Sequence, residues 1–455
     1  MNPDALLTHT LRAHPRGSQI TAVMAAALQA VDPYAAVQRA LTLRGSQLCL
    51  HGQTWNLDEY DRVFLAAFGK AAYPMCLAAE AVLGPRLTAG EAVTKDGHLP
   101  PHNQLRRTRL HLAGHPVPDE RSLQAAQAVL ALLDSAGPRD LILCLISGGG
   151  SALLTAPVPE VGLGDLQTLT QLLLRCGAPI QEINTLRKHL DQVKGGRLAQ
   201  RAAPAPILSL ILSDVIGDPL DVIASGPTVP DPSTYADAWG ILQRYGLQDA
   251  LPDGLRIYLQ DGLAGKIPDT PKPQDPLFAR AQTAIIASLP QAAQAAAQCA
   301  QGFGFHTAVL TTCLQGEAAQ AGRFMAAIAR QVRTFGQPLP APACLIAGGE
   351  TTVTVRGDGM GGRNQELVLG AVADLAGLPD TCLISLATDG GDGPTPAAGA
   401  AASGESLARA QALGLHPADF LARSDSFAFF SALDDLLLPG PTQTNVNDLT
   451  FLFVF

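Results

Sequence analysis

The residues with the clearest chemical purpose lie in one glycine-rich segment, residues 348–366, which holds six glycines and two arginines. The alternating Thr and Val at 351–355 predict a strand with one buried face. The glycines after it lack Cβ, so a ligand can approach the backbone amides. Arg363 follows at the predicted start of a helix, where amides and dipole favour an anion, and its guanidinium can hold phosphate bidentately. The segment therefore predicts a phosphate site made of Gly349, Glu350, Gly361, Gly362 and Arg363.

Two other interpretations of this segment stay open. Residues 357–362 fit the spacing G-x-G-x-x-G of a dinucleotide-binding loop, and Asp389 follows a predicted strand, where it could hold a ribose. Against this interpretation, the strand begins directly after another glycine pair, and the dinucleotide motif has no use for Arg363. The second alternative is a glycine-rich turn with a solvated arginine.

Two further loops place glycines after a predicted strand. The strand at 63–68 leads into Gly69 and Lys70, and a lysine at a helix start is unfavourable without an anion. The strand ending at Ile146 leads into a serine-flanked triple glycine, whose amides can form an anion nest. This second loop lacks the lysine of a P-loop and the second glycine of a nucleophile elbow. A solvated lysine and a plain turn are the alternatives, but we expect anion binding at Lys70, Ser147, Gly148, Gly149, Gly150 and Ser151.

The densest basic patch of the chain is 182–197. Within it, Asn184, Arg187 and Lys194 are candidates for binding the substrate or a phosphate. Asn184, Arg187 and Asp191 lie about one helical turn apart and share a predicted face. A solvated helix closed by a glycine explains the pattern equally well.

Aspartates follow predicted strands in both halves of the chain. Asp214 follows 207–212, and Asp389 follows 381–388. A carboxylate there could take a hydroxyl proton or hold Mg²⁺, which needs only one or two carboxylates plus phosphate oxygens. We take Asp214 as catalytic, and Asp214 and Asp389 as candidate metal ligands; capping of a turn is the alternative for each. Four histidines match no zinc spacing and are interpreted as loop residues: His98, His102, His111 and His115.

Composition and charge exclude several classes of function. The 455 residues predict two or three domains, and 47% hydrophobic residues suffice for a large core. A net charge of −9 without a basic run argues against nucleic acid. No apolar run approaches a membrane span and no secretory signal is visible. The eight cysteines include no C-x-x-C, which predicts a reduced, cytoplasmic setting. We expect a small-molecule substrate and no membrane partner; a homo-oligomer stays open.

The elements that must position these residues are short apolar runs alternating with longer Ala- and Leu-rich stretches. Such alternation predicts an α/β fold with mostly parallel sheets covered by helices on both faces. Four prolines within 262–277 predict a linker, which gives domains at 1–262 and 278–455. Since ligands bind beyond the carboxyl ends of such strands, we expect the two domains to face each other across a central cleft.

Taken in order, these motifs resemble the glycerate 2-kinase family, whose C-terminal half is called the MOFRL domain. The resemblance is specific and covers nearly the whole chain, with matches at 27–33, 68–72, 114–120, 147–154, 194–199, 213–215, 225–228, 348–366, 388–390 and 445–449. It implies ATP-dependent, Mg²⁺-assisted phosphorylation of D-glycerate at its 2-hydroxyl, giving 2-phosphoglycerate. It also implies two Rossmann-like domains around a cleft, with Lys70, Asp214 and Arg363 at the family's catalytic positions. One departure is Asp191, where the family usually has Ser.

For phosphoryl transfer the roles are assigned as a hypothesis. Lys70 and Arg363 neutralise charge on the transferring group, Asp214 accepts or orients the 2-hydroxyl proton, and the amides of 147–151 hold an anion. Members of this family have also carried the name hydroxypyruvate reductase, so an NAD(P)H-dependent reductase is one alternative. A protein that binds an anionic metabolite without turnover is the other.

Overall fold

The computed structural model describes residues 2–97 and 102–455, and the chain divides into two compact units. The central unit is Pro33–Ile286, and the terminal unit combines the chain up to Asp32 with Ala287–Phe455. This division differs from the predicted domains 1–262 and 278–455, because the first residues pack with the last part of the chain. Thr10 gives the reason: its N–H and its hydroxyl donate to the buried carboxylate of Asp435 at 2.7 and 2.8 Å.

The described strands form three sheets. They are β1 (Leu41–Arg44), β2 (Gln47–Leu50), β3 (Gln53–Asn56), β4 (Arg62–Phe68), β5 (Leu87–Lys95), β6 (Thr108–Ala113), β7 (Asp140–Ile146), β8 (Ile207–Leu212), β9 (Ala281–Ala287), β10 (His306–Leu314), β11 (Ala343–Gly349), β12 (Thr381–Ala387), β13 (Gly399–Ser403), β14 (Leu436–Leu437) and β15 (Asp448–Val454).

The described α-helices are α1 (His9–Ala13), α2 (Gly17–Ala30), α3 (Pro33–Ala40), α4 (Ala72–Leu83), α5 (Glu120–Asp134), α6 (Gly150–Leu153), α7 (Leu163–Arg175), α8 (Ile180–His189), α9 (Arg197–Ala202), α10 (Tyr235–Arg244), α11 (Asp253–Leu263), α12 (Leu289–Gly302), α13 (Ala318–Phe335), α14 (Arg363–Leu375), α15 (Ser406–Ala412), α16 (Pro417–Ala422) and α17 (Ser426–Ala432). Short 3₁₀ segments lie at Pro3–Leu6, Leu57–Glu59, Gly84–Arg86, Ile223–Ser225, Gln248–Ala250 and Pro276–Arg280. No single described helix is long and apolar enough to cross a membrane; α2 and α3 pass that test of length and composition only as a bent pair.

The central unit is built on a six-stranded sheet with the order β6-β5-β4-β7-β8-β9. The pairings from β6 to β8 are all parallel. Strands β4, β7 and β8 are almost entirely buried, as expected where helices cover both faces. The strand order reverses between β4 and β7, which is the switch point where open α/β sheets bind ligands. A separate antiparallel sheet joins β1, β2 and β3.

The terminal unit holds a second six-stranded sheet with the order β10-β11-β15-β12-β13-β14. The predicted α/β fold class is confirmed, but this sheet is mixed rather than mostly parallel. Only β10 and β11 pair parallel, and the other four pairings in this described sheet are antiparallel. The cause is β15, which inserts between β11 and β12 and buries Phe451 and Phe453 completely. Local hydrophobic patterns cannot specify which neighbours a buried strand takes.

The strand predicted at 351–355 is wrong. β11 ends at Gly349, and the following residues form only an isolated bridge at Thr352. The N–H and hydroxyl of Thr354 donate to the carboxylate of Glu317 at 3.1 and 3.0 Å. A side chain therefore satisfies this backbone in place of a neighbouring strand. Val355 is 71% exposed, so the alternation of Thr and Val does not mark a buried face.

The predicted linker at 262–277 is folded into the central unit. Its Thr270 is buried and donates to Asp231 at 2.9 Å. Asp269, next to it, pairs with His189 at the end of α8 at 2.9 Å. The proline-rich segment 262–277 therefore packs against the central unit and does not link two domains.

A buried lysine lies at the centre of this polar network. Lys188 Nζ lies 3.3 Å from Asp231 and 3.1 Å from Asp221, and the side chains of Lys188 and Asp231 are 4% and 0% exposed. Burial alone would raise the pKa of Asp231, but the charge of Lys188 and hydrogen bonds from Ser233 hold it below its usual value. Removing the lysine would leave a buried carboxylate without its cation.

We therefore predict that Lys188→Met lowers stability by about 3–5 kcal/mol, the cost of breaking a buried pair by removing one partner. The matched control is Lys266→Met, because Lys266 pairs with Asp261 on the surface and its side chain is 69% exposed; little change is expected there. Urea unfolding followed by circular dichroism measures both. Equal shifts of the unfolding midpoint in the two variants would contradict the structural role of Lys188.

Candidate active site

Three loops of the central unit begin at the carboxyl ends of three neighbouring strands. In the sheet register Phe68 of β4 lies beside Ile146 of β7, and Ile146 lies beside Ile211 of β8. The loops after these strands therefore start side by side at the switch point. The predicted residues brought together there are Lys70, Ser147, Gly148, Gly149, Gly150 and Asp214.

The loop that carries Lys70 is joined to the triple-glycine loop by backbone contacts. The N–H of Lys70 donates to the carbonyl of Gly148 at 2.9 Å, and the N–H of Ala71 donates to the Ser147 hydroxyl at 3.0 Å. Gly69 has a φ of 124°, and a Cβ there would overlap Ser147, so this contact requires glycine. α4 begins two residues after Lys70; the lysine precedes the helix and does not open it as predicted.

Side chains of different charge lie against the triple-glycine loop. A Cβ at Gly149 would be 3.0 Å from the His115 ring and 3.3 Å from Cγ of Lys70. A Cβ at Gly148 would overlap the carboxylate of Asp214. Bare backbone thus lets a lysine, a histidine and a carboxylate gather around one short loop. His115 was predicted only as a loop residue, since its spacing gave no further role.

Ser151 begins a chain of hydrogen bonds that sequence reasoning missed. Its hydroxyl lies 2.8 Å from the Ser225 hydroxyl, which donates to Oδ1 of Asn184 at 3.0 Å. Ala224 and Ser225 have φ of 50° and 61°, a left-handed conformation that is costly for residues other than glycine and concentrates at functional sites. Asn184 therefore holds a strained turn beside the loop; the only sequence signal for that turn was its hydroxyls.

Within the basic patch, the charge of Lys194 is matched by Asp191. Nζ of Lys194 donates to Asp191 at 2.5 Å, to the carbonyl of Leu154 at 3.1 Å and to the Thr155 hydroxyl at 3.3 Å. Burial lowers the pKa of Lys194, and Asp191 opposes that shift. All three ammonium protons have partners within the chain, so Lys194 holds this part of the fold together, and its role in binding an anion stays a prediction.

Arg187, in contrast to the fully bonded Lys194, lines a cavity. Burial lowers the pKa of its guanidinium, with Asp191 opposing. It lines a cavity of about 30 Å³ together with Ser151, Asp191 and Lys194. Asp191, where the sequence departs from the family pattern, therefore interacts with two of the cations of the patch, Arg187 and Lys194.

In the terminal unit, Arg363 is the first residue of α14, as predicted. Its Nε and Nη2 donate to Asp448 at 2.5 and 3.2 Å, and its Nη1 donates to Glu350 at 2.6 Å. Burial alone would lower the pKa of Arg363, but these hydrogen bonds and charges raise it above its ordinary value. Burial raises the pKa of Asp448 to about 6, although Arg363 opposes the shift.

The amides at the start of α14 are occupied by a carboxylate of the chain. The N–H groups of Asn364 and Gln365 donate to Asp392 at 3.1 and 2.9 Å, and a Cβ at Gly362 would overlap that carboxylate. Asp392 therefore satisfies the positive helix end in this structure, and the phosphate site at Gly361, Gly362 and Arg363 stays a prediction. The guanidinium of Arg363 stays the predicted anion-binding group at this helix start.

The glycines before α14 serve contacts within the chain. A Cβ at Gly357 or Gly359 would meet the backbone of Arg423, and one at Gly361 would meet the hydroxyl of Ser426. Gly349 packs in the same way against the backbone of Leu314. The G-x-G-x-x-G spacing is therefore explained by close packing, and without a preceding strand it does not form the predicted dinucleotide corner.

The candidate metal and histidine residues are scattered. Asp389 lies in the turn after β12, and its carboxylate accepts from the N–H of Gly391 at 3.1 Å. Within the described ranges, no group of three or more His, Cys, Asp or Glu could hold a metal ion. His111 lies on β6, where it pairs with Glu91 at 2.6 Å, so its prediction as a loop residue is wrong; His98 lies outside the described residues.

These features define a two-unit α/β protein in which Lys70, the triple-glycine loop and Asp214 gather at the switch point of a parallel sheet. Residues 19–260 match a domain of unknown function, DUF4147, and residues 343–448 match the MOFRL family. A D-glycerate 2-kinase of Thermotoga maritima is 44% identical over 86% of this chain and 90% of its own length. A relative from Agrobacterium vitis, provisionally named hydroxypyruvate reductase, is 41% identical over 86% of this chain and 87% of its own. The crystal structure of a Thermotoga maritima glycerate kinase superposes with a TM-score of 0.85 at 40% identity, covering 95% of this chain and 98% of that one. The chain belongs to the glycerate kinase family.

The buried carboxyl group of Glu366, near the start of α14, makes the stability of the protein depend on pH. Glu366 is 5% exposed, and burial, with the charge of Glu317, raises its pKa from 4.5 to about 7. The folded chain therefore binds a proton that the unfolded chain releases between these two pH values. Glu366 therefore contributes a loss of stability as pH rises from about 4.5 to about 7.

Glu366→Gln should remove this loss. We predict that the variant melts at a higher temperature than the parent above pH 7, and that the difference shrinks steadily as pH falls towards 5. Thermal unfolding across pH 5–9 measures the effect. Glu405→Gln, which alters an exposed glutamate of the same unit, provides the comparison. A constant difference at all pH values would show that Glu366 does not titrate in this range.

Proposed function

We propose that the protein catalyses ATP-dependent phosphorylation of D-glycerate at the 2-hydroxyl, giving 2-phosphoglycerate and ADP. The observation that carries this proposal is the gathering of Lys70, the triple-glycine loop and Asp214 at the ends of three adjacent parallel strands. A cation, backbone amides and a carboxylate are the groups that phosphoryl transfer to a hydroxyl requires. Membership of the glycerate kinase family, whose relatives include a D-glycerate 2-kinase, supports glycerate as the acceptor.

The main physical problem of this reaction is charge. Glycerate carries a carboxylate and ATP several negative charges, so their approach is unfavourable unless the protein offsets the repulsion. Lys70, beside the backbone of Gly149, is assigned to the transferring phosphoryl group. Arg363 is assigned to phosphate as a second cation, and this role stays a prediction. Arg187, which lines the cavity next to Ser151, is assigned to the glycerate carboxylate.

Asp214 is assigned to the acceptor hydroxyl. The 2-hydroxyl oxygen forms a bond to the γ-phosphorus, the bond from that phosphorus to the β,γ-bridging oxygen breaks, and the hydroxyl proton passes to the Asp214 carboxylate. ADP leaves with the bridging oxygen. Asp214 is half-buried and follows a buried strand, a setting that holds a base in place while leaving it accessible to substrate.

The residues present fit Mg²⁺ bound through one protein carboxylate together with phosphate oxygens. Asp214 offers a single carboxylate beside the anion loop, and one or two carboxylates together with phosphate oxygens suffice for this ion. Mg²⁺ would supply charge neutralisation between the phosphates. Asp389, whose carboxylate accepts from its own turn, stays a prediction as a second ligand.

We place the reaction in the cytoplasm. ATP is the phosphoryl donor of the proposed reaction, and each of the eight cysteines is a free thiol, as expected in a reducing compartment.

The purified protein with ATP, Mg²⁺ and D-glycerate should release ADP only when glycerate is present. Enolase alone should convert the product to phosphoenolpyruvate, because enolase accepts the 2-phosphate; a requirement for added mutase would indicate the 3-isomer. A parallel reaction with NADH and hydroxypyruvate tests the reductase alternative. Oxidation of NADH without glycerate-dependent ADP release would overturn the kinase assignment.

Gly148→Ala tests the placement of Asp214 without removing any titratable group. The new Cβ would overlap the Asp214 carboxylate, and a displacement of about 1 Å can lower turnover by about 10²-fold. We expect that loss in kcat with the fold retained.

The matched control is Gly164→Ala in α7, where a Cβ meets nothing within 4 Å and alanine favours the helix. Circular dichroism confirms the fold of both variants. Normal turnover in Gly148→Ala would remove Asp214 from the reacting atoms.

A further inference from the structure

Arg363 is held by two carboxylates that differ sharply in burial. Asp448 takes Nε and Nη2 in a fork at 2.5 and 3.2 Å, and its side chain is 8% exposed. Glu350 takes Nη1 through one contact at 2.6 Å, and its side chain is 47% exposed. The first pair is anchored on β15, whereas the second involves a side chain that water can reach.

This difference decides which contact can be exchanged. Separating Arg363 from Asp448 would leave a buried carboxylate without its cation, which is strongly unfavourable. Separating it from Glu350 allows that carboxylate to be hydrated at its exposed position, and exposed ion pairs contribute little. The backbone of Glu350 would not move, since its N–H donates to the carbonyl of Leu314 at 2.8 Å.

We propose that Glu350 is an internal competitor for the anion that Arg363 binds, and that the phosphate chain of ATP displaces it from Nη1. This inference rests on the proposed function, which assigns Arg363 to phosphate. It reverses the sequence-based prediction, in which Glu350 was a phosphate-binding residue. Glu350 accepts from Nη1 of Arg363, and a phosphate oxygen that takes this donor displaces it.

The local charge supports the same conclusion. One cation, Arg363, interacts electrostatically with three carboxylates, those of Asp448, Glu350 and Asp392. An arriving phosphate therefore meets an excess of negative charge, and Glu350 is the one of the three whose side chain is half-exposed. Displacing the Glu350 carboxylate makes the Nη1 donor available to phosphate. It also reduces the negative charge that an arriving phosphate meets.

Calorimetric titration of the full-length protein with ATP, and separately with tripolyphosphate, tests the proposal without any turnover. Glu350→Gln should bind both ligands about two- to fivefold more tightly, because a competing charge of the size found in exposed ion pairs is lost. If Glu350 were only a support for Arg363, the same change would weaken binding. Glu405→Gln removes an exposed charge elsewhere in the terminal unit and should leave both affinities unchanged.

A double-mutant cycle makes the test specific to Arg363. Arg363→Lys keeps a cation near the buried Asp448, so the fold is preserved, but one ammonium cannot reproduce the fork and the third contact. In that background the gain from Glu350→Gln should fall to the level of the Glu405→Gln control. A gain that persists in full would show that Glu350 acts on phosphate without Arg363.

The outcomes separate this inference from the proposed function. ATP binding to the parent protein with no gain in Glu350→Gln would overturn the competition alone. An absence of binding by either ligand to the parent would overturn both the competition and the use of ATP.

Discussion

The parallel pairing of β4, β7 and β8 is the constraint on which the candidate site depends. Their register puts Phe68, Ile146 and Ile211 in one row, and burial of these apolar strands fixes that register, because a shift would move core side chains away from the helices that cover them. Lys70, the triple-glycine loop and Asp214 follow within a few residues of that row. Core packing therefore brings Lys70, the triple-glycine loop and Asp214 together. No direct attraction between these groups is needed.

A second theme is that the chain matches its buried cations with its own carboxylates. Lys188 pairs with Asp231 and Asp221, Lys194 with Asp191, and Arg363 with Asp448 and Glu350. In an acidic protein with a net charge of −9, such pairing removes the cost of burying a charge, but it also leaves fewer cations for a ligand. The strength of an anion site in such a protein depends on which of these pairs can exchange partners. Burial, more than distance, distinguishes the pairs that can exchange from those that hold the fold.

Much of this arrangement could be predicted from the sequence. Apolar runs followed by glycine or serine predicted the strand ends that carry Lys70, Gly148 and Asp214, because strand and turn preferences are local. The sequence could not show that Asp392 reaches the amides of Asn364 and Gln365, that Ser225 reaches Asn184, or that β15 inserts between β11 and β12. Each of these contacts joins residues far apart in the chain, and composition alone does not specify partners at such distances. For the same reason the glycines of 357–362 were assigned to a ligand, whereas Gly357, Gly359 and Gly361 pack against 423–426 and Gly362 packs against Asp392.

The hydrogen bonds between Thr10 and Asp435 have a consequence for the order in which the chain can fold. The terminal unit is assembled from segments on both sides of the central unit, so its first segment is synthesised long before the strands and helices that complete its core. The central unit lies within one continuous stretch and can fold while the first segment still lacks its partners. α2, whose apolar face is buried in the finished protein, must remain exposed or chaperoned through that interval. Closure of the terminal unit then depends on contacts of very long sequence separation, which form slowly.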